Sequence, residues 1–550
     1  MKFKWLIIIL LISFYFVAAS MGGTYKRASD PATFSKDIAP IFYRHCIECH
    51  RPGNIAPMSL ITYEDARPFA RWIGEKVRTR EMPPWHADPA FGEFANERRL
   101  SQEEMNKILA WVEHGAPEGD PKDLPRVPDF PGQWKIGQPD VVLKMAEEYV
   151  LGAGASDQYL YFRIPTHLKE DRWVQAVEFR PGNLKVVHHA VAFIETPESF
   201  SEAQRLDPTV KPGNAVWTLL ETQPSPLEVM DGTNRRIRSD APVVNDGCSA
   251  ADVDAVGFGG NNKVLSVYAP GRGVDTWPAG TAKKIPAGSN IILQMHYSKA
   301  AGKSEKDRTQ VALVFARAPV EKVVNTRSIS NILFEIPPRA DNHKVTACWN
   351  VQRDIQLINF MPHMHVRGKS MRYEVTYPDG RRQILLYVPN YSFHWQTVYQ
   401  LKRALDVPSG SKLMLTAYFD NSEANTHNPD PSKAIRHGTA TFDEMMIGFV
   451  DYIIPKPRER IIAKVNPASF DAYVGKYEID PTAFISIVRV GDKLYAEADG
   501  KRVELYPISE TVFFSQNTES ELSFAMNEKG EVSGFVVTQN DKLVRAKRIK

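Results

Sequence analysis

Residues 355–368 read IQLINFMPHMHVRG. The first part is rich in β-branched and aromatic side chains and is followed by turn residues, which is the pattern of a strand. His363 and His365 stand two apart, and on a strand such residues point to the same face. Two imidazoles on one face can chelate one metal; the alternative is a pair of exposed strand histidines.

The same character extends outward in both directions. VVHHAVAFI (186–194), NIILQMHYS (290–298) and KLMLTAYFD (412–420) are also short, β-branched and aromatic, with Pro, Gly, Asn and Asp turns between them. From about 135 to 462 this is too much chain for one sandwich. Two β-sandwiches are expected, 135–325 and 326–462. His188 and His189 are adjacent, so on a regular strand they face opposite ways. Sharing a metal would need a twist or bulge, or different ring nitrogens. The tail, 466–550, contains neither His nor Cys. VGDKLYAEADGKRVELYP and LSFAMNEKGEVSGFVV read there as hairpins of a small β domain.

Upstream the period changes to that of helices. SKDIAPIFYRHCIECH carries Ile38, Ile41 and Phe42 at helical spacing. TYEDARPFARWIGEKV is a second helix. LSQEEMNKILAWVEHGAP is a third, with Ser101 and Glu104 as a capping box and Leu100 and Met105 as a hydrophobic staple. Gly115 and Pro117 close it. A small helical unit over 24–122 follows, then a proline-rich linker, 123–134, which is stiff and extended.

The first helix ends in Cys46, Cys49 and His50, a C-x-x-C-H motif that attaches haem through two thiols and ligates its iron through the histidine. The alternative is a redox dithiol. Met82, in REMPPWHAD, is the expected second axial ligand, with Met58 and His86 as the other candidates. The N-terminus, MKFKWLIIILLISFYFVAAS, has a positive start, a short apolar core and small residues for cleavage. Residues 1–20 thus read as an export signal and the protein as periplasmic or secreted. An uncleaved segment would instead hold it at a membrane. Cys248 and Cys348 are left over, and an oxidising compartment would permit their pairing. In 550 residues the formal charge is only +3, without a long basic run, which argues against nucleic acid as a partner.

The order of ligands over 135–460 is His188-His189, His296, His363-x-His365, then Met445. It resembles the copper monooxygenase family that includes peptidylglycine hydroxylating and dopamine β-monooxygenases. The resemblance implies two jelly-roll-like sandwiches and two coppers. One copper would be held by His188, His189 and His296. The other would be held by His363, His365 and Met445, with Met446 as the fallback. Donor chemistry agrees, since imidazole suits copper and a thioether favours Cu(I). Two departures stand out. Met361 and Phe449 occupy positions where the peptidylglycine enzymes carry Arg and Tyr, so a peptide substrate is disfavoured and a more apolar one indicated.

The N-terminal unit resembles cytochrome c, and YVGKYE, ELYP and KGEVSGF resemble the small β domain found after β-lactamase-like hydrolases. The expected protein is therefore multidomain: a small all-α cytochrome c domain, two all-β sandwiches and a small all-β C-terminal domain. With one covalent haem c and two coppers it would hydroxylate a C–H bond of an organic substrate with O2. An external donor would supply electrons, passing from haem to the three-His copper. An electron-transfer or copper-handling protein without oxygenase chemistry is the alternative.

Overall fold

A computed structural model describes residues 31–54, 56–130, 134–154, 158–197, 199–201, 215–218, 229–230, 236–237, 243–248, 264–269, 274–298, 302–438, 441–454, 462–480, 483–498, 501–515, 520–539 and 542–549. The expected export signal at 1–20 lies outside the described residues, as do 131–133 of the expected linker. No helix among the described residues is long and apolar enough to cross a membrane. The chain forms two compact units. One comprises the residues up to Trp85 with Arg98–Asp129, and the other His86–Glu97 with the residues from Phe130 onward.

The first unit is helical, built on α1 (Ala39–His45), α2 (Ala70–Arg78) and α3 (Gln102–Glu113). The capping box forms: Glu104 N donates to Ser101 Oγ at 3.2 Å, and Ser101 N donates to the Glu104 carboxylate at 2.8 Å. Such a cap contributes about 1 kcal/mol. Leu100 and Met105 are both buried. Gly115, at φ +83°, takes the left-handed conformation that ends α3. Trp111 on α3 packs 6.2 Å from Phe34 and 6.3 Å from Phe42, and its indole donates to Pro117 O at 3.0 Å.

Residues 86–97 lie inside the stretch expected to be cytochrome-like, yet they are built into the second unit. Asp88 N donates to Tyr387 O at 2.8 Å and Ala95 N to Gln400 O at 2.7 Å. Buried Phe94 sits 5.5 Å from Tyr399. The Asn96 side chain bonds the backbone at Val398 and Gln400. These are backbone and single-side-chain contacts, which leave no periodic signature.

In the second unit, β1 (Gln158–Pro165), β2 (Val187–Glu195), β3 (Val264–Tyr268) and β4 (Asn290–Tyr297) join Ala215–Thr218 in an antiparallel sheet. Its order is Ala215–Thr218, β1, β4, β2, β3. The core between it and a nine-stranded sheet contains Leu160, Phe162, Ile194 and Leu293 from one layer, and Val174, Phe179, Val311 and Leu313 from the other. The strands that follow are β5 (Lys322–Asn331), β6 (His343–Asn350), β7 (Ile355–His363), β8 (Gly368–Thr376), β9 (Lys412–Phe419) and β10 (Met446–Ile453). Thr281–Ile285 pairs in parallel with β5, which carries the nine-stranded sheet onward to β10 and β7. Position 325 thus falls inside a strand. β6, β9 and β8 belong to a separate four-stranded sheet.

Close contact between these layers depends on Gly448 in β10. A Cβ there would lie 1.9 Å from Leu415 Cδ2 and 2.6 Å from the Tyr373 hydroxyl. Behind the layers, Lys283 Nζ reaches Asp451 at 3.3 Å, Thr326 at 2.6 Å and two backbone carbonyls. Asp451 is held below its usual range; burial opposes this, but Lys283, Thr326, Asn359 and Trp277 outweigh it. Cys248 and Cys348 form a disulfide. It fastens the segment at 243–248 to β6, where Gly247 N donates to Thr346 O at 3.0 Å.

The expected tail hairpins close into an eight-stranded barrel, with Lys542–Ile549 pairing back onto Gly475–Asp480. Tyr477, Leu494, Phe513, Phe524 and Phe535 fill its interior.

Candidate metal centres

The first histidine group forms where β2 meets β4. His296 lies opposite His189, but the next residue, Tyr297, lies opposite Val187, so His188 is the extra residue of a β-bulge. A bulge re-aims one side chain, and here it brings both adjacent histidines round to His296. His189 Nδ1 is 3.3 Å from His188 Nδ1 and 3.2 Å from His296 Nδ1. One ligand atom from each lies within 4.8 Å of the others. The Tyr159 ring stacks on His296 at 4.2 Å, and Thr441 Oγ1 is 3.3 Å from His296 Nε2. Burial, followed by the neighbouring histidines His296 and His188, keeps His189 well below the ordinary imidazole range. It is therefore neutral at pH 7, the form that ligates a metal.

The second group differs from the strand pair expected of His363 and His365. β7 ends at His363, and His365 lies just past it. Convergence is imposed by Glu444, whose buried carboxylate accepts from the backbone N–H of His365 at 2.9 Å, Arg367 at 2.6 Å and Met445 at 3.3 Å. The Glu444 carboxyl is pushed up to about 8 by burial, against those hydrogen bonds. His363 Nδ1 bonds Gln396 Oε1 at 2.8 Å, and His365 Nδ1 bonds Asp443 O at 3.2 Å. Both acceptors require a proton on Nδ1, which leaves both Nε2 lone pairs for a metal. Burial lowers His363 to about 4 and His365 well below its usual range. Met445 and Met446 are both buried. Met445 lines the cavity that holds His363 and His365, whereas Met446 pairs with Asn331 in the sheet.

One histidine of the first group and all three residues of the second line one cavity of about 30 Å³, room for a water-sized molecule. His189, His363, His365 and Met445 wall it together with Val191, Phe193, Val267, Met361 and Phe449. The His189 and His363 rings are 6.1 Å apart. Met361 and Phe449 are register partners between β7 and β10, so the two departures from the peptidylglycine pattern are one apolar wall.

Sequence reading missed the segment at 389–398, PNYSFHWQTV. Besides Gln396 on His363, its Phe393 stacks 4.7 Å from His188 and lies 5.9 Å from His365. The Tyr391 hydroxyl donates to Met364 O at 2.7 Å. The only local signal was a run of aromatics without alternation.

In the helical unit, Cys46, Cys49 and His50 occupy one turn after α1: His50 N donates to Cys46 O at 2.9 Å. The two cysteines are not joined in a disulfide. His50 Nδ1 is 3.2 Å from Met58 O, so it bears the proton and Nε2 is left as the ligand atom. Burial, then Cys49 and Glu104, push the Cys46 thiol up to about 12. The thiol pair with its oriented imidazole fits covalent haem. Met82 is half-buried after α2, with its N–H on Lys76 O, while His86 falls in the second unit.

The fold and site thus define a β protein with a three-His group and a separate group of two histidines and a methionine. Residues 323–474 match the family model for the copper type II ascorbate-dependent monooxygenase C-terminal domain. That stretch includes His363, His365 and Met445 and stops short of His188, His189 and His296. Over it the chain is similar to a class of copper oxidoreductases that use O2 and an organic substrate. Residues 459–547 match a domain of unknown function (DUF3471). Among solved structures, the major capsid protein P2 from bacteriophage PM2 is 10% identical, with 58% of this chain and 98% of that chain covered, at a TM-score of 0.20. The infectious bursal disease virus Gx strain structure is 9% identical, with 58% and 72% covered, at a TM-score of 0.15. Likenesses this shallow bear on neither fold nor function.

Proposed function

We propose that this protein is an exported haem- and copper-dependent monooxygenase that hydroxylates a C–H bond of an apolar organic substrate. The observation that carries the proposal is the shared cavity. His189 from one ligand group and His363, His365 and Met445 from the other wall a single apolar space.

His188, His189 and His296 would hold one copper, and His363, His365 and Met445 the other. Cys46, Cys49 and His50 would hold haem c, with Met82 as its second axial ligand. Bound there, the haem would supply one-electron transfer and the coppers O2 chemistry, with an external donor as the electron source.

The chain's own residues do the remaining work. Gln396 and Asp443 O fix the tautomers of His363 and His365. Glu444 ties the His-x-His segment to the residue before β10. Val191, Phe193, Met361 and Phe449 give the cavity an apolar lining, a low-dielectric setting in which electrostatic interactions are stronger. They offer no charge to grip a peptide carboxylate.

The test is product formation coupled to O2 uptake by protein with one haem and two coppers per chain. His363→Ala should abolish hydroxylation and leave the haem spectrum unchanged. Ferrous haem that stays reduced under anaerobic stopped flow with Cu(II) loaded would remove the electron route. Copper binding without any O2-dependent product would favour a copper-handling protein instead.

A further inference from the structure

Two histidines that the proposed mechanism does not use lie beside the three-His group. The His394 ring is 5.8 Å from the His188 ring and 5.8 Å from the His427 ring. Both residues are exposed. His394 thus neighbours both exposed His427 and His188 of the inner group.

This spacing suits a shared metal ion. With metal–nitrogen bonds near 2 Å, each ring centroid sits about 3.2 Å from the ion; three-coordinate geometry then separates two centroids by about 5.5 Å and linear geometry by about 6.4 Å. The observed 5.8 Å falls between, in the range used by two- and three-coordinate Cu(I). Both segments are fastened in place. The His427 N–H donates to Asn425 Oδ1 at 3.0 Å, and Asn425 Nδ2 reaches Asp420 O at 2.9 Å. Asn428 Nδ2 bonds Asn421 Oδ1, which also accepts from buried Arg367. His394 is flanked by Phe393, stacked on His188, and its segment is anchored by Tyr391 and Gln396.

We propose that His394 and His427 form a surface copper-binding pair that loads the three-His group through His188. Cu(I) is the ion carried. Its oxidation state does not change: imidazole bonds from His427 and His394 break as bonds from His188, His189 and His296 form. The loading role rests on the copper assignment of the three-His group; the surface pair itself does not.

Full-length, haem-bearing, copper-free protein would be titrated with Cu(I) against a chromophoric Cu(I) chelator, and the loading rate followed as copper leaves that chelator. Wild type is expected to take up one more equivalent than His427→Ala or His394→Ala. Both variants should fill the inner sites to the same final extent but more slowly. Equal stoichiometry and equal rates in wild type and both variants would overturn the proposal. Loss of the extra equivalent with unchanged rates would overturn the loading role. His189→Ala separates the two readings. If it leaves the copper count unchanged, the three-His assignment fails and the loading role with it, while the surface pair still stands or falls by its own two variants.

Discussion

Gln396→Leu is the sharpest test of the copper site proposed at His363, His365 and Met445. The Gln396 carbonyl oxygen is 2.8 Å from His363 Nδ1, and both side chains are buried. That contact fixes the proton on Nδ1 and leaves the Nε2 lone pair for a metal. Leucine has nearly the same volume but no acceptor. The ring would then keep a buried N–H without a partner, at a cost of about 1–3 kcal/mol, or take the other tautomer and lose its aim. Removing a partner of this kind lowers metal affinity about 10–100-fold, equivalent to roughly 1.4–2.8 kcal/mol. Cu(I) competition titration of the full chain should show this loss at one of the two inner sites. The three-His site and the haem absorption should be unchanged. Gln396→Glu retains an acceptor and should recover most of the affinity. Wild-type affinity at both sites in a folded Gln396→Leu protein would refute the proposed tautomer control.

Other outcomes follow from the same structure. Gly448→Ala places a methyl group against Leu415 and Tyr373, and should destabilise the protein by about 1–3 kcal/mol, read as a lower urea midpoint. Replacing Cys248 and Cys348 together opens a link spanning 100 residues, and chain entropy sets the expected loss at about 4.7 kcal/mol, with an unchanged urea midpoint as the contrary result. Proton competition for copper should also be displaced. His363 is lowered to about 4 by burial, so it stays neutral through the range where a solvent-exposed imidazole would protonate. Cu(I) affinity at its site should stay flat from pH 7 down to about 5 and fall only as the pH approaches 4; a decline beginning at pH 6.5 would refute this.

Much of the architecture was legible in local pattern. The capping box at Ser101, the change from helical to β-branched segments, and the C-x-x-C-H turn are short-range features, fixed by residues within a few positions of one another. The candidate ligands could be named for a related reason: imidazole and thioether chemistry belongs to the side chain wherever it sits. Tertiary structure decided how they converge. His188 and His189 face one way only because a bulge opposite His296 inserts an extra residue. His365 is aimed from beyond a strand end by Glu444, seventy-nine positions away in the chain. Met445 was separated from Met446 only when one faced the cavity and the other joined the sheet. Gln396, Phe393, His394 and His427 carried no periodic signal, because their roles come from single contacts across the fold. Sequence determines donor chemistry and local conformation; which donors share a cavity depends on long-range pairing, which no local pattern records.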